Sequence, residues 1–192
     1  MILAPLLMRI PDLLPASRHN KKAGGEDDKP LTLKGHTVVV GFGPVGRKAV
    51  KTLENIGSAV VVIDLNPSLA AAGNTGETRY LFGDSTSSEL LHSAAIDSAR
   101  ALIVTLPDPK STRLTIQQAR EMAPGITILA RARYSQSVSQ LYEAGADHVV
   151  DEEESTGETL AMDLVVSAGL PPNCVEGGAE CMLPGAAPLP QE

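Results

Sequence analysis

Three glycines and one aspartate are the residues of this 192-residue chain whose types and spacing could do chemistry. Gly41, Gly43 and Gly46 follow the G-x-G-x-x-G pattern directly behind the β-branched run Thr37 to Val40. Asp64 closes a second apolar run, Ala59 to Ile63, about 20 residues farther on. The glycines suit a phosphate group. The first permits a tight turn, the second lets an anion approach the main chain, and the third lets a helix pack closely on a strand. The N–H groups at the start of that helix then face the anion. Asp64 suits a ribose, because both hydroxyls can donate to its carboxylate, and it repels a 2′-phosphate. Phe42, Pro44 and Val45 complete the candidate turn, and Leu65 extends the site beyond the acid.

Such residues work only if a strand, a turn, a helix and a second strand hold them together. The pattern of apolar runs predicts strands at 37–41, 59–64, 78–82, 100–105, 126–131 and 147–150. Between and after them it predicts helices near 45–56, 67–73, 86–94, 111–123, 135–144 and 156–168. Six strands alternating with helices imply an α/β fold, a doubly wound parallel Rossmann sheet. Its expected strand order is 3-2-1-4-5-6, with a ligand crevice beyond the carboxyl ends of strands 1 and 4. The chain is 43% hydrophobic but only 3% aromatic and has no Trp, so its core must come from Val, Ile, Leu and Ala. Buried parallel strands have that composition.

In this architecture the residues just past each strand lie on the ligand rim. Strand 3 is followed by Gly83, Asp84, Ser85 and Thr86. Asp84 and Ser85 either reach the adenosine side of a nucleotide or cap the next helix. Strand 4 leads to Thr105, a candidate ligand contact, and to Asp108, which is placed to begin a helix. Strand 5 ends with Arg131 and Arg133, which alternation places on one side. They either hold an anion, the phosphate or a separate acidic effector, or pair with neighbouring acids.

Other classes of function find little support. A net charge of −7 argues against a nucleic-acid surface, and no Lys or Arg follows Glu143. His19, His36, His92 and His148 are scattered, so neither a Ser-His-Asp set nor a metal-ligand cluster stands out. Cys174 and Cys181 lack metal-ligand spacing and read as unpaired thiols. No catalytic residue is expected.

The ends read differently from the body at 36–169. Residues 1–16 are apolar but are broken by Pro5, Arg9, Pro11 and Asp12. They are too few to cross a bilayer, which takes about 20 apolar residues. They are expected to be the remnant of a transmembrane helix, with an interfacial anchor or a partner-packing segment as alternatives. The basic residues that follow fit a cytoplasmic flank. Residues 17–35 read as a polar linker, and 170–192, rich in Pro and Gly, as a disordered tail.

The segments VVVGFGPVGRKAV, VVVIDLNP, GDST, TLPDP, ILARARY and LYEAGADHVV together resemble the TrkA-N domain, the RCK N-terminal fold, over residues 36–168. Domains of this kind regulate potassium channels, Trk/Ktr uptake systems and Kef-type potassium–proton antiporters. ARARY and the apolar N-terminal segment are most similar to the Kef-type branch. The resemblance implies a regulatory domain at the cytoplasmic face of the inner (plasma) membrane that binds AMP or NAD/NADH without turning it over. By position it implies a phosphate turn at Gly41, Gly43 and Gly46, a ribose contact at Asp64 and an adenosine contact at Asp84. Arg131 or Arg133 then falls in the region that holds phosphate or, in glutathione-gated relatives, the effector. It also implies a homodimer through the Rossmann domain and a membrane-embedded cation–proton antiporter as partner. Two alternatives are a small NAD-dependent oxidoreductase and a free-standing Trk/Ktr-like regulator of potassium uptake.

Overall fold

The structure, a computed structural model, describes residues 33–71 and 76–169. The expected apolar N-terminal remnant, most of the linker, the tail, both cysteines and His19 lie outside the described residues. The strands are β1 (Thr37–Val40), β2 (Val60–Asp64), β3 (Thr78–Phe82), β4 (Ala101–Val104), β5 (Thr127–Ala132) and β6 (His148–Asp151). They form one six-stranded sheet in the order β3-β2-β1-β4-β5-β6, parallel at every pairing. That is the expected doubly wound sheet, with each strand within a residue of its expected limits. The β-branched runs explain it. Val38, Val39, Val60 and Val61 are fully buried, covered on both sides as central parallel strands must be.

The helices are α1 (Pro44–Asn55), α2 (Pro67–Ala71), α3 (Ser88–Ser93), α4 (Pro109–Met122), α5 (Val138–Glu143) and α6 (Glu152–Ser167). The larger core layer joins Val38, Val40, Val61, Ile63, Leu102, Val104 and Ile128 to Leu91 of α3, Ile116 of α4 and Leu141 of α5. The smaller layer, on the opposite residues of β1 and β2, packs Val39, Val60 and Val62 against Val50 of α1. Two helices depart from their expected starts by more than two residues. Helix α5 is preceded by a 3-10 turn over Ser135–Ser137, which takes the first residues of the predicted helix. Helix α6 begins at Glu152, four residues before the expected 156, because Asp151 caps it. The Asp151 carboxylate accepts from the N–H groups of Glu153 and Glu154 at 3.0 and 3.2 Å.

The chain joins this body before β1. Leu33 packs against the larger core layer, and its carbonyl accepts from the Ser98 hydroxyl at 2.9 Å. The Gly35 N–H donates to Ser98 O, and the buried His36 ring bonds Ala94 O through Nε2, both at 2.9 Å. At the far corner, Arg120 on α4 pins the turn before β6. Its guanidinium donates to the carbonyls of Gly145, Pro124 and Ile126 and to the Asp147 carboxylate. Asp147 also accepts from the Ile128 N–H at 2.7 Å. That bond first, and the Arg120 guanidinium second, hold its carboxyl below the usual aspartate range against the opposing effect of burial.

Candidate functional site

At the carboxyl end of the sheet, main-chain bonds lace the strand tips into one rim. Gly41 N–H donates to Ile63 O at 2.9 Å, Gly83 N–H to Asp64 O at 3.0 Å, and Thr105 N–H to Val40 O at 2.9 Å. The loops after β1, β2, β3 and β4 are therefore neighbours, as the strand order requires. Gly41, Asp64, Asp84 and Thr105 consequently lie along one edge.

The three glycines of the turn have different reasons to be glycine. Gly41 has φ +89°, and a Cβ there would lie 2.9 Å from Thr105 Oγ1. At Gly46 a Cβ would sit 1.9 Å from Gly41 O, so α1 could not approach β1 as it does. Both are demanded by the fold. Gly43 has an ordinary φ of −68°, and a Cβ there would meet nothing within 4 Å. The fold alone gives no reason for glycine at this position.

Gly43 is also the N-cap of α1, and no side chain caps that helix. Pro44 at the first helical position lacks an N–H, which costs nothing there. The N–H groups of Val45 and Gly46 come too early to have an acceptor four residues back in the helix, whereas that of Arg47 donates to Gly43 O at 2.9 Å. Val45 is exposed beside them. Phe42 turns away from the rim, edge-on to Tyr80 with ring centroids 5.4 Å apart, and packs on the smaller core layer.

Asp64 ties two loops together. Its Oδ2 accepts from the Phe42 N–H at 2.6 Å and its Oδ1 from the Asn66 N–H at 2.8 Å. The carboxylate thus helps shape the glycine turn from the neighbouring strand, a role the spacing alone did not suggest. Each carboxylate oxygen retains a second lone pair for an outside donor. Leu65 beside it is strongly exposed.

The other rim residues divide between inside and outside. Asp84 is exposed, and its Oδ1 accepts from both the N–H and the hydroxyl of Thr86 at 2.9 and 2.8 Å. It orders its own loop, while α3 begins later, at Ser88 with Ser87 as N-cap. Ser85 is buried, and its hydroxyl meets that of Thr115 on α4 at 2.9 Å. Thr105 is buried too, with its hydroxyl 3.1 and 3.0 Å from the carbonyls of Val40 and Gly41. It braces the glycine turn from below.

The two arginines do not share a task. Arg131, on β5, donates from Nε to Glu152 Oε2 at 2.8 Å, and from Nη2 to the same oxygen. Its Nη1 lies 3.4 Å from Thr105 O. Arg133 stands one residue past β5, exposed, with its guanidinium carbon 5.5 Å from the centre of the Tyr134 ring. Arg131 and Glu152 also line an open cavity of about 470 Å³, whose walls include Val45, Ile103, Leu129, Val150 and Leu160. The described residues contain no group of His, Cys, Asp and Glu that could hold a metal ion. None of their helices is long and apolar enough to cross a membrane.

The family model of the TrkA-N domain matches residues 37–152. An uncharacterized protein of Methanothermus fervidus is 32% identical over an aligned stretch of 153 residues, covering 74% of this chain and 24% of that protein. The chain therefore spans about a quarter of that relative's length. Among solved structures, the TrkA-N domain of the inner membrane protein ybaL from Escherichia coli is similar with a TM-score of 0.67 and 28% identity, over 70% of this chain and 99% of that one. The GsuK channel bound to NAD is similar at 0.65 and 21%, covering 73% of this chain and 26% of that one. The Kef CTD of Shewanella denitrificans in its AMP-bound form is similar at 0.64 and 19%, covering 73% and 85%. These last two share the fold.

Proposed function

The chain belongs to the TrkA-N domain family, and from that premise we propose that it is a nucleotide-sensing regulatory domain of a cation transport system. It binds AMP or NAD(H) at the rim after β1 and β2, without catalysing a reaction on it. The observation that carries this reading is Gly43. It is a glycine with ordinary backbone geometry and open space around it, at an uncapped helix start. An anion close to the main chain accounts for what folding does not. Asp64, held beside the turn by the Phe42 N–H, supplies the ribose contact, and its charge selects against a 2′-phosphate. The bound AMP and NAD in structures of the same fold agree with that choice of ligand.

The membrane partner in this reading is a Kef-type cation–proton antiporter, with the domain at the cytoplasmic face of the inner membrane. Its support is the ARARY segment, the apolar N-terminal residues and the shared fold of the Kef CTD. Coupling would pass through a homodimer. Helix α6 has no buried residue, and Leu160, Leu164 and Val166 are 64%, 68% and 66% exposed. An apolar surface of that kind calls for a partner. A ligand shifts such an assembly only by its differential affinity for the two states, and a hundredfold preference is worth about 2.7 kcal/mol.

Calorimetric titration of the full chain with AMP, NAD, NADH and NADPH tests the binding step. AMP or NADH should bind, NADPH should bind more weakly than NADH, and the bound NADH should stay reduced. Asp64→Ala should cost the adenosine ligands about 1–3 kcal/mol, since it removes charge-assisted acceptors and leaves the Phe42 N–H unpaired. If no nucleotide binds to the folded wild-type domain, the proposal fails. Unchanged affinity in Asp64→Ala would remove that residue from the site.

A further inference from the structure

We propose that Glu152 competes with the ligand for the Arg131 guanidinium, so that an ion pair at the start of α6 sets the affinity of the nucleotide site and registers its occupancy. This inference rests on the nucleotide-binding reading and adds a residue that reading does not use.

The argument begins with position. Arg131 lies on β5 beside β4, and its Nη1 is 3.4 Å from Thr105 O. The Thr105 hydroxyl is 3.0 Å from Gly41 O, so Thr105 links the guanidinium to the glycine turn. A phosphate held at that turn would lie within the field of this cation.

The existing partner is poorly matched to the guanidinium. Both bonds from Arg131 end on one oxygen of Glu152, Oε2, instead of engaging two oxygens in parallel. A phosphate offers several oxygens to the same planar fork. Exposure is unequal as well. The Arg131 side chain is 19% exposed and that of Glu152 42%. The glutamate can return to water cheaply, whereas the arginine cannot. An incoming anion therefore displaces Glu152, and Arg131 stays at the rim.

The release would not unwind the helix. Asp151 still caps Glu153 and Glu154, and Glu153 still accepts from the N–H and hydroxyl of Ser135 at 2.9 and 3.1 Å. What is lost is the bond between the first residue of α6 and β5. Helix α6 has no buried residue, so this ion pair joins the Glu153–Ser135 bonds in tying its first turn to the body.

The test is a set of nucleotide titrations on variants of the 192-residue chain, using the tightest ligand among AMP, NAD and NADH. Glu152→Gln should raise affinity roughly fivefold, because it removes the competitor from a partly exposed pair. Arg131→Met should lower affinity by on the order of tenfold. In the Arg131→Met background, Glu152→Gln should have no further effect. Glu154→Gln removes the same charge one residue-pair along the helix without touching Arg131, and should leave affinity unchanged. In the wild type, ligand should also speed amide hydrogen exchange in α6 beyond its capped first turn, and Arg131→Met should abolish that response. The idea is overturned if Glu152→Gln binds no better than wild type. It is equally overturned if Glu154→Gln matches Glu152→Gln, since a general field effect would then explain both. Absence of binding in every variant would instead sink the nucleotide reading and this inference with it.

Discussion

Helices α1 and α4 start on the same rim of the sheet, each behind a strand tip and each with a proline in its first turn, Pro44 and Pro109. The difference that matters is at the N-cap. The N-cap of α4 is Asp108, whose carboxylate accepts from the Ser111 N–H at 2.8 Å and from the Ser111 hydroxyl at 2.7 Å. The N-cap of α1 is Gly43, which has no side chain to offer. In α4 the helix start is satisfied from within, and the Ser111 hydroxyl and N–H hold the Asp108 carboxyl below the usual aspartate range. In α1 the same donors are left to the outside. The same local geometry is a folding device in α4 and, in the proposed function, a binding device in α1, with the N-cap residue as the difference.

The contrast can be broken most violently at Gly46. Gly46→Ala would drive a Cβ to 1.9 Å from Gly41 O, a main-chain atom that cannot turn aside. It should destabilise the domain by about 3 kcal/mol or more, read as a large drop in melting temperature. Gly43→Asp gives α1 the cap of α4 and sharpens the comparison directly. Since glycine is nearly as good an N-cap as aspartate, stability should change by only a few tenths of a kcal/mol. Nucleotide affinity should fall by on the order of a hundredfold, because the new carboxylate takes the donors and repels the phosphate. If Gly43→Asp still bound nucleotide normally, the helix start would have no part in binding.

The converse change has a smaller effect. Asp108→Ala should lower the melting temperature by a few degrees and leave nucleotide affinity unaltered. The smallest expected effect is on acid stability. Asp108, Asp147 and Asp151 are all held below the ordinary aspartate value of 3.8; for Asp151 the Ser135 hydroxyl and then the N–H groups of Glu154 and Glu153 are responsible. Their contributions are present above that value and are lost as pH falls through the folded-state values. The difference in melting temperature between wild type and Asp108→Asn should therefore shrink as pH drops below 3.8.

Much of this architecture was legible in the chain. Strands built from Val and Ile runs, with glycine at β1's tip, leave little choice of fold, and the sheet order followed from the alternation of strands and helices. Asp108 was also legible as a helix start, because Asp-Pro before a polar helical stretch is a strong local signal. The rest depended on contacts between residues distant in sequence. Nothing local predicts that Asp64 accepts from the Phe42 N–H, or that Ser85 points inward to Thr115. The partner of Arg131 is 21 residues away, at the start of a helix whose first turn was expected to be loop. The signal that could have found it was the acidic run after β6, since Asp151 followed by three glutamates is a favourable helix N-terminus. The apolar character of α6 was visible, but its exposure was not. Its apolar residues, Leu160, Met162, Leu164 and Val166, recur without a helical stripe to show which face a core would cover.

That last feature bears on how such a domain can diversify. A helix that contributes nothing to the core can be rewritten without repacking the sheet. Substitutions along residues 157–167 would be judged by whatever the helix meets outside, while the rim at Gly43 and Asp64 would answer to the proposed ligand and, at Asp64, to the shape of the glycine turn. One chain could in this way keep its stimulus and exchange its listener.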